Sequence, residues 1–270
     1  MIDERVEILS NDEVAGGFYQ ARLRAPHIAS RAEPGQFVNL QVGTGVAQLL
    51  RIPLSVCALD EEAGWIDVLY ELTGPKSRAL SLAGVGVLMQ CLGPLGKGFT
   101  PPQDGAATIL VGGGIGVPPM LFWGKVLQRR GCPVTLLVGA RNKAKHLPDA
   151  LLTPAANAVR RATDDGSLGH AGLVTDLLRE ELAGEGARSV YCCGPHAMMR
   201  AVASVARDFT VPCQVSLEEY MACGIGICVG CAVELEREGR DDGSDYTRYG
   251  RICVDGPVFD ALQVKWADGW

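Results

Sequence analysis

Four cysteines near the end of this 270-residue chain have the spacing that most clearly specifies chemistry. Cys223, Cys228 and Cys231 follow the pattern C-x4-C-x2-C, and Cys253 stands apart further on. Three thiolates on one tight loop and a fourth at a distance is the spacing of a plant-type [2Fe–2S] cluster. Gly224, Gly226 and Gly230 let the backbone approach such a cluster without side-chain clash, so that N–H groups can point at its sulfurs. Ile225 and Ile227 could shield it from water, which tunes its potential. Zinc is the competing metal. Structural zinc sites, however, usually pair two close hooks, whereas here three ligands share one loop.

Two glycine loops suggest a nucleotide. Gly112, Gly113, Gly114 and Gly116 join a short apolar strand to a helical run that begins at Pro118-Pro119. Glycines there let the backbone approach a pyrophosphate, and a helix N-terminus presents oriented N–H groups. Alone, the loop could be only a tight turn. Cys193-Gly194-Pro195 ends a later strand of the same alternating region, where ligands gather in open α/β folds. Two further stretches are weaker signals: Arg51-Ile52-Pro53-Leu54-Ser55, and Gly74-Pro75-Lys76-Ser77. By themselves they read equally well as a strand end and a turn.

The elements that must position these residues fall into three regions. Residues 1–102 read as an antiparallel β-barrel. Tyr19, Ala21 and Leu23 alternate with polar neighbours, as do Val38, Leu40 and Val42, and Ile66, Val68, Tyr70 and Leu72. Residues 103–212 alternate strand and helix, which means a parallel sheet with helices on its faces. Residues 213–270 hold the cysteine motif. The glycine- and proline-rich run Pro94–Pro102 reads as a linker, and the four histidines (27, 146, 170, 196) as surface residues.

Composition agrees with a globular protein, 47% apolar and 21% charged. A net charge of −6 argues against a nucleic-acid partner, which would need clustered Lys and Arg. The most apolar stretch, residues 106–123, is broken by glycines and prolines and cannot be a plain membrane span. No signal peptide is visible at the N-terminus, so the expectation is a cytoplasmic protein. Its ten cysteines are then metal ligands or core thiols rather than disulfides.

Taken in order, these motifs resemble the ferredoxin–NADP reductase superfamily, and within it the electron-transfer subunits of type B dihydroorotate dehydrogenase. The resemblance runs over nearly the whole chain. It includes GPLGKGF near Gly93–Phe99, GGGIGVPP at Gly112–Pro119, CGP at Cys193–Pro195, SLEEYMACGIGICVGC at Ser216–Cys231 and CVDGPVF at Cys253–Phe259. It implies an FAD-binding barrel, a nicotinamide-binding α/β domain and a C-terminal [2Fe–2S] domain. Ile52, Pro53, Leu54 and Ser55, with Leu69, Tyr70 and Glu71, would line the isoalloxazine. Lys76 and Ser77 would lie on the FAD phosphates. Ser55, near flavin N5, and Cys193, at the nicotinamide loop, are the implied catalytic side chains.

In this picture hydride passes between NAD and FAD, and single electrons pass between FAD and the cluster. The cluster in turn serves the FMN of a separate dihydroorotate dehydrogenase subunit, in a heterotetramer with two copies of each chain. The sequence departs from the family at Arg51. The family has Arg directly before the Pro, where this chain has Ile52. On a strand, a one-residue offset turns a side chain to the opposite face, so the cation expected at the FAD pyrophosphate is either Arg51 or Lys76.

Two alternatives remain open from the sequence. One is a diaphorase of the same build serving another oxidoreductase or a bifurcating complex, with the segment between Cys231 and Cys253 and the C-terminal tail facing the partner. The other is a zinc-stabilised nucleotide-binding module without redox activity. NAD is favoured by the resemblance. Arg141 could meet a 2′-phosphate or could be a solvated loop charge, and Asp164-Asp165-Gly166 reads as a turn.

Overall fold

A computed structural model describes residues 1–43, 45, 49–102, 105–184, 188–236 and 249–266. The first region closes into a barrel. Its elements are β1 (Ile2–Ala15), β2 (Phe18–Arg24), α1 (Pro26–Ala29), β3 (Phe37–Leu40), β4 (Ile52–Asp60), β5 (Trp65–Glu71), α2 (Pro75–Ser81) and β6 (Leu88–Leu95). The strand order is β1-β2-β5-β4-β3-β6, and every neighbouring pair is antiparallel. Period-two alternation turns Ala21, Leu23, Val38, Leu40, Val56, Ile66 and Val68 inward to fill the barrel. Asp67, on the other face, is buried as well. Arg22 compensates its charge with two parallel N–H···O bonds of 2.7 and 2.8 Å.

The second region is a sheet flanked by helices. It comprises β7 (Ala107–Gly113), α3 (Val117–Arg129), β8 (Val134–Ala140), α4 (Asp149–Leu152), β9 (Ala158–Thr163), β10 (His170–Ala171), α5 (Val174–Leu182), β11 (Arg188–Cys193), α6 (His196–Asp208) and β12 (Cys213–Ser216). The chain then forms β13 (Ala232–Glu234) and β14 (Tyr249–Arg251), which pair with each other, and β15 (Val258–Asp260). The sheet order is β10-β9-β8-β7-β11-β12-β15, parallel except for the last pair. From β7 the chain winds outward to β10 and then crosses back to β11. The order therefore reverses between β7 and β11, where such folds bind ligands.

Three expectations need correction. Leu95 and Phe99, in the stretch read as a linker, are buried core residues. Phe99 stacks on Trp123 with centroids 5.8 Å apart and meets the edge of Tyr191, whose hydroxyl donates to the Thr100 carbonyl at 2.9 Å. Glycines and prolines here serve close packing between regions rather than a loose tether. The boundary drawn at residue 213 falls inside the sheet, because β12 pairs with β11 and β15 from the C-terminal region pairs with β12. His146 is buried, with Nε2 3.2 Å from the Ala162 carbonyl, and burial lowers its pKa. Among the described residues, no helix is long and apolar enough to cross a membrane.

Candidate functional site

The three regions meet at a cleft of about 440 Å³. The barrel contributes Phe37 from β3, Ile52, Pro53, Leu54 and Ser55 from β4, and Leu69, Tyr70 and Glu71 from β5, with Thr73 beyond it. The sheet supplies Ile115 and Ser216, and the C-terminal segment supplies residues Leu217 to Met221 and Pro257. All seven residues expected against an isoalloxazine thus lie on one wall. They do so because β4 and β5 are antiparallel neighbours in the barrel, so that the start of β4 meets the end of β5 at one rim. The Tyr70 ring leans on Tyr19, 5.6 Å between centroids, and its hydroxyl donates to Asn11 Oδ1 at 2.7 Å. Glu71 is held by Lys145 Nζ at 2.7 Å, which ties the barrel rim to the loop after β8.

Arg51, Lys76 and Ser77 do not line this cleft. The Arg51 guanidinium is paired with Asp3 at 3.1 and 3.2 Å, and Lys76 Nζ donates to the Arg51 carbonyl at 3.0 Å. Arg51 immediately precedes β4, and its side chain is turned to β1, away from this cleft. Ser77 is buried, its Oγ accepting from the N–H groups of Thr73 and Gly74 at 3.0 and 3.1 Å. Its hydroxyl caps the start of α2.

The two glycine loops come together at the C-terminal ends of β7 and β11. A Cβ on Gly194 would stand 3.1 Å from both the N and the O of Gly113. A Cβ on Gly116 would overlap the Cys193 carbonyl, so only glycine allows the two loops to touch. Pro118 and Pro119 occupy the first turn of α3, where a missing N–H costs little, and Pro195 precedes the first residue of α6. Cys193 itself is not on the cleft wall. Its thiol is fully buried, within hydrogen-bonding reach of Ser216, and desolvation raises its pKa well above the usual thiol value. Its expected catalytic role therefore lacks the exposure that contact with a substrate requires. Ser216 stands between it and the cleft.

The four cysteines gather as two pairs. Cys231 Sγ lies 3.3 Å from Cys253 Sγ, both buried. Cys223 and Cys228 share the glycine loop, where Gly224 and Gly226 take φ of 71° and 83°. The loop turns N–H groups toward sulfur: Ile225 and Cys228 each donate to Cys223 Sγ at 3.4 Å. Desolvation works against a thiolate at Cys223, but the N–H groups of Cys228 and Ile225 outweigh it and bring the thiol down to about 6. At Cys253, burial and then the neighbouring Cys231 thiol push the value up to about 12. Two sulfur pairs fed by backbone N–H groups suit two irons bridged by sulfide better than one tetrahedral zinc. The residues present fit the cluster. Arg251 braces the loop, donating from Nη1 to the Gly226 carbonyl at 3.0 Å and from Nε to Asp255 at 3.0 Å.

Of the other cleft residues, Phe37 and Thr73 lie outside every sequence motif, while Ile115, Ser216 to Met221 and Pro257 lie inside motifs without a residue type that marks them as cleft-lining. The Ser216–Cys231 motif contains most of the C-terminal set. That set's position just before the cysteines was the available signal.

A cleft on a barrel rim, a nucleotide sheet with paired glycine loops and a four-cysteine site together define a reductase of the ferredoxin–NADP reductase type with an added iron–sulfur domain. Residues 110–204 match the oxidoreductase NAD-binding domain, and residues 218–265 the iron–sulfur cluster binding domain of dihydroorotate dehydrogenase B. The chain is 38% identical over 97% of its length to the electron transfer subunit of dihydroorotate dehydrogenase B (NAD(+)) from Geobacillus thermodenitrificans, covering 98% of that protein. It is 36% identical over 96% of its length to the subunit of the same description from Desulforamulus reducens, covering 97% of it. Among solved structures, NADH-dependent reduced ferredoxin–NADP oxidoreductase superposes with a TM-score of 0.84 at 28% identity, over 96% of this chain and 89% of that one. A ferredoxin–NADP+ reductase from Neisseria gonorrhoeae with bound FAD and NADP shares the fold at a TM-score of 0.65 and 18% identity, over 77% of this chain and 91% of that one. The chain belongs to the family of dihydroorotate dehydrogenase B electron transfer subunits.

Proposed function

We propose that this chain carries electrons between a dihydroorotate-oxidising catalytic subunit and NAD, in the pyrimidine-forming conversion of dihydroorotate to orotate. The observation that carries the reading is a cleft onto which the barrel, the edge of the nucleotide sheet and the segment just before the cysteines all open. We assign FAD to the barrel wall of Ile52–Ser55 and Leu69–Glu71, NAD to the loops at residues 112–116 and 193–195, and a [2Fe–2S] cluster to Cys223, Cys228, Cys231 and Cys253. When bound, FAD supplies the exchange between the two-electron chemistry of nicotinamide and the one-electron chemistry of iron and sulfur.

The chain's own residues orient and insulate. Ser55 is the hydroxyl we place against the reactive edge of the flavin. The glycine loops offer backbone N–H groups to a pyrophosphate. The buried cysteine pair keeps water from one side of the cluster. The division of labour is barrel for FAD, sheet for NAD, and the residues after Ser216 for the cluster. The partner is an FMN-containing catalytic subunit, with two copies of each chain in the assembly. The six cysteines outside the cluster site, all buried and unpaired, support a reducing, cytoplasmic setting. The sequence expectation that the segment between Cys231 and Cys253 and the tail face this partner falls mainly on residues 237–248 and 267–270, outside the described residues.

The test is co-expression of the chain with the catalytic subunit, followed by an assay of the purified complex. NAD+ reduction driven by dihydroorotate, requiring both chains, is the expected result. A complex inert to dihydroorotate that instead moves electrons between NAD(P)H and a ferredoxin would favour the bifurcating-complex alternative, which the 0.84 TM-score keeps in view. Diaphorase kinetics with both cofactors should give the higher kcat/KM for NADH. A strong preference for NADPH would overturn the assignment of NAD.

A further inference from the structure

Asn39 is the polar side chain that the site as described leaves unexplained. It lies on β3, is 1% exposed, and both ends of its amide, Nδ2 and Oδ1, lack a hydrogen-bond partner. A buried amide without partners is costly, so such groups normally mark a place where something else binds. Alternation along β3 turns Val38 and Leu40 into the barrel and puts Asn39 on the outer face with Phe37. Across the ladder Asn39 pairs with Pro53 and Phe37 with Ser55. Phe37, Pro53 and Ser55 all line the cleft. At Asn39, however, that face is covered by the cysteine loop: a Cβ on Gly224 would stand 2.5 Å from Asn39 Nδ2. The amide therefore sits between the wall assigned to the flavin and the residue that follows the first cluster cysteine.

The chemistry of the two neighbours decides which end of the amide is used. Thiolates and sulfides accept hydrogen bonds and donate none, so the NH2 group is the end that serves them. We propose that Asn39 is a positioning residue for the cluster, its Nδ2 group donating to the Cys223 sulfur when that sulfur ligates iron. This rests on the cluster assignment above and adds to it a donor from outside the loop. Hydrogen bonds to cluster sulfurs stabilise the extra negative charge of the reduced state and raise the potential. The barrel that holds one redox group thereby sets the poise of the other.

The test uses the full-length chain, isolated without air, as wild type and as Asn39→Leu, which keeps the volume and removes the amide. Iron, sulfide and FAD are counted, and the cluster potential is measured by a redox titration followed by electron paramagnetic resonance. In parallel, wild-type chain labelled with 15N at asparagine side chains is reduced and examined by pulsed resonance for coupling to the cluster spin. The expected results are similar iron and sulfide in both chains, a more negative potential in Asn39→Leu, and a 15N coupling present in wild type and lost in the variant. A wild-type cluster with no 15N coupling overturns the proposal, even if the variant fails to fold. A wild-type chain with neither iron nor sulfide overturns the cluster assignment itself, and this proposal with it.

Discussion

Cys231 and Cys253 are 2% and 1% exposed and share a core with Phe37, Leu95, Ile252 and Phe259, whereas Cys223 and Cys228 stand on a loop whose Ile227 and Val229 face outward, 76% and 54% exposed. The environments pull the thiols in opposite directions, up to about 12 at Cys253 and down to about 6 at Cys223. The difference teaches that one cysteine motif does two jobs. The buried pair belongs to the folding core that joins sheet and barrel, so iron bound there must displace protons and reports on folding. The outer pair belongs to a glycine-rich surface loop, preorganised by its own N–H groups.

The sharpest way to break this contrast is to remove one cysteine from each pair. Cys253→Ala should lose the cluster and cost the fold on the order of 3 kcal/mol, read by urea unfolding under anaerobic conditions. Cys228→Ser should leave the secondary structure and FAD content intact while the cluster becomes deficient or spectrally altered. Its stability cost should be below about 1 kcal/mol once both proteins are compared without metal. Equal costs for the two variants would erase the distinction. Gly224→Ala places a side chain at positive φ and against Asn39, so about 1–2 kcal/mol and partial loss of iron are expected, again by urea unfolding and iron assay. Arg251→Gln should have the smallest effect on stability, because the Arg251–Asp255 pair is partly exposed. A modest rise in cluster lability to chelator would reveal the lost contact to the Gly226 carbonyl.

The parts legible in the sequence are those in which spacing alone specifies chemistry or period. C-x4-C-x2-C announced the metal site, the alternation in β2, β3 and β5 announced the barrel, and the glycine loops marked two strand ends that the fold brings into contact. What stayed hidden depends on tertiary neighbours. Asn39 obeyed the alternation and was expected on a polar face. It is buried because a loop nearly two hundred residues later covers it. Phe99 looked like part of a tether because glycines and prolines surround it, and only the packing on Trp123 and Tyr191 shows otherwise. His146 sits in a polar stretch, and the polar composition gives no sign that its ring is buried against the Ala162 carbonyl. The cleft wall from Ser216 to Met221 is set by β12 entering the sheet, a pairing that no local pattern encodes.

The central claim is that one chain links a nicotinamide site to a cluster through a flavin. Its most direct test is to add NADH to the anaerobically purified chain alone and record the visible and electron paramagnetic resonance spectra. The account predicts bleaching of flavin absorbance together with a low-temperature signal of a reduced [2Fe–2S] centre, in a chain holding about two irons and one FAD. A chain whose flavin bleaches while its iron stays silent, or one that contains no iron at all, would contradict it.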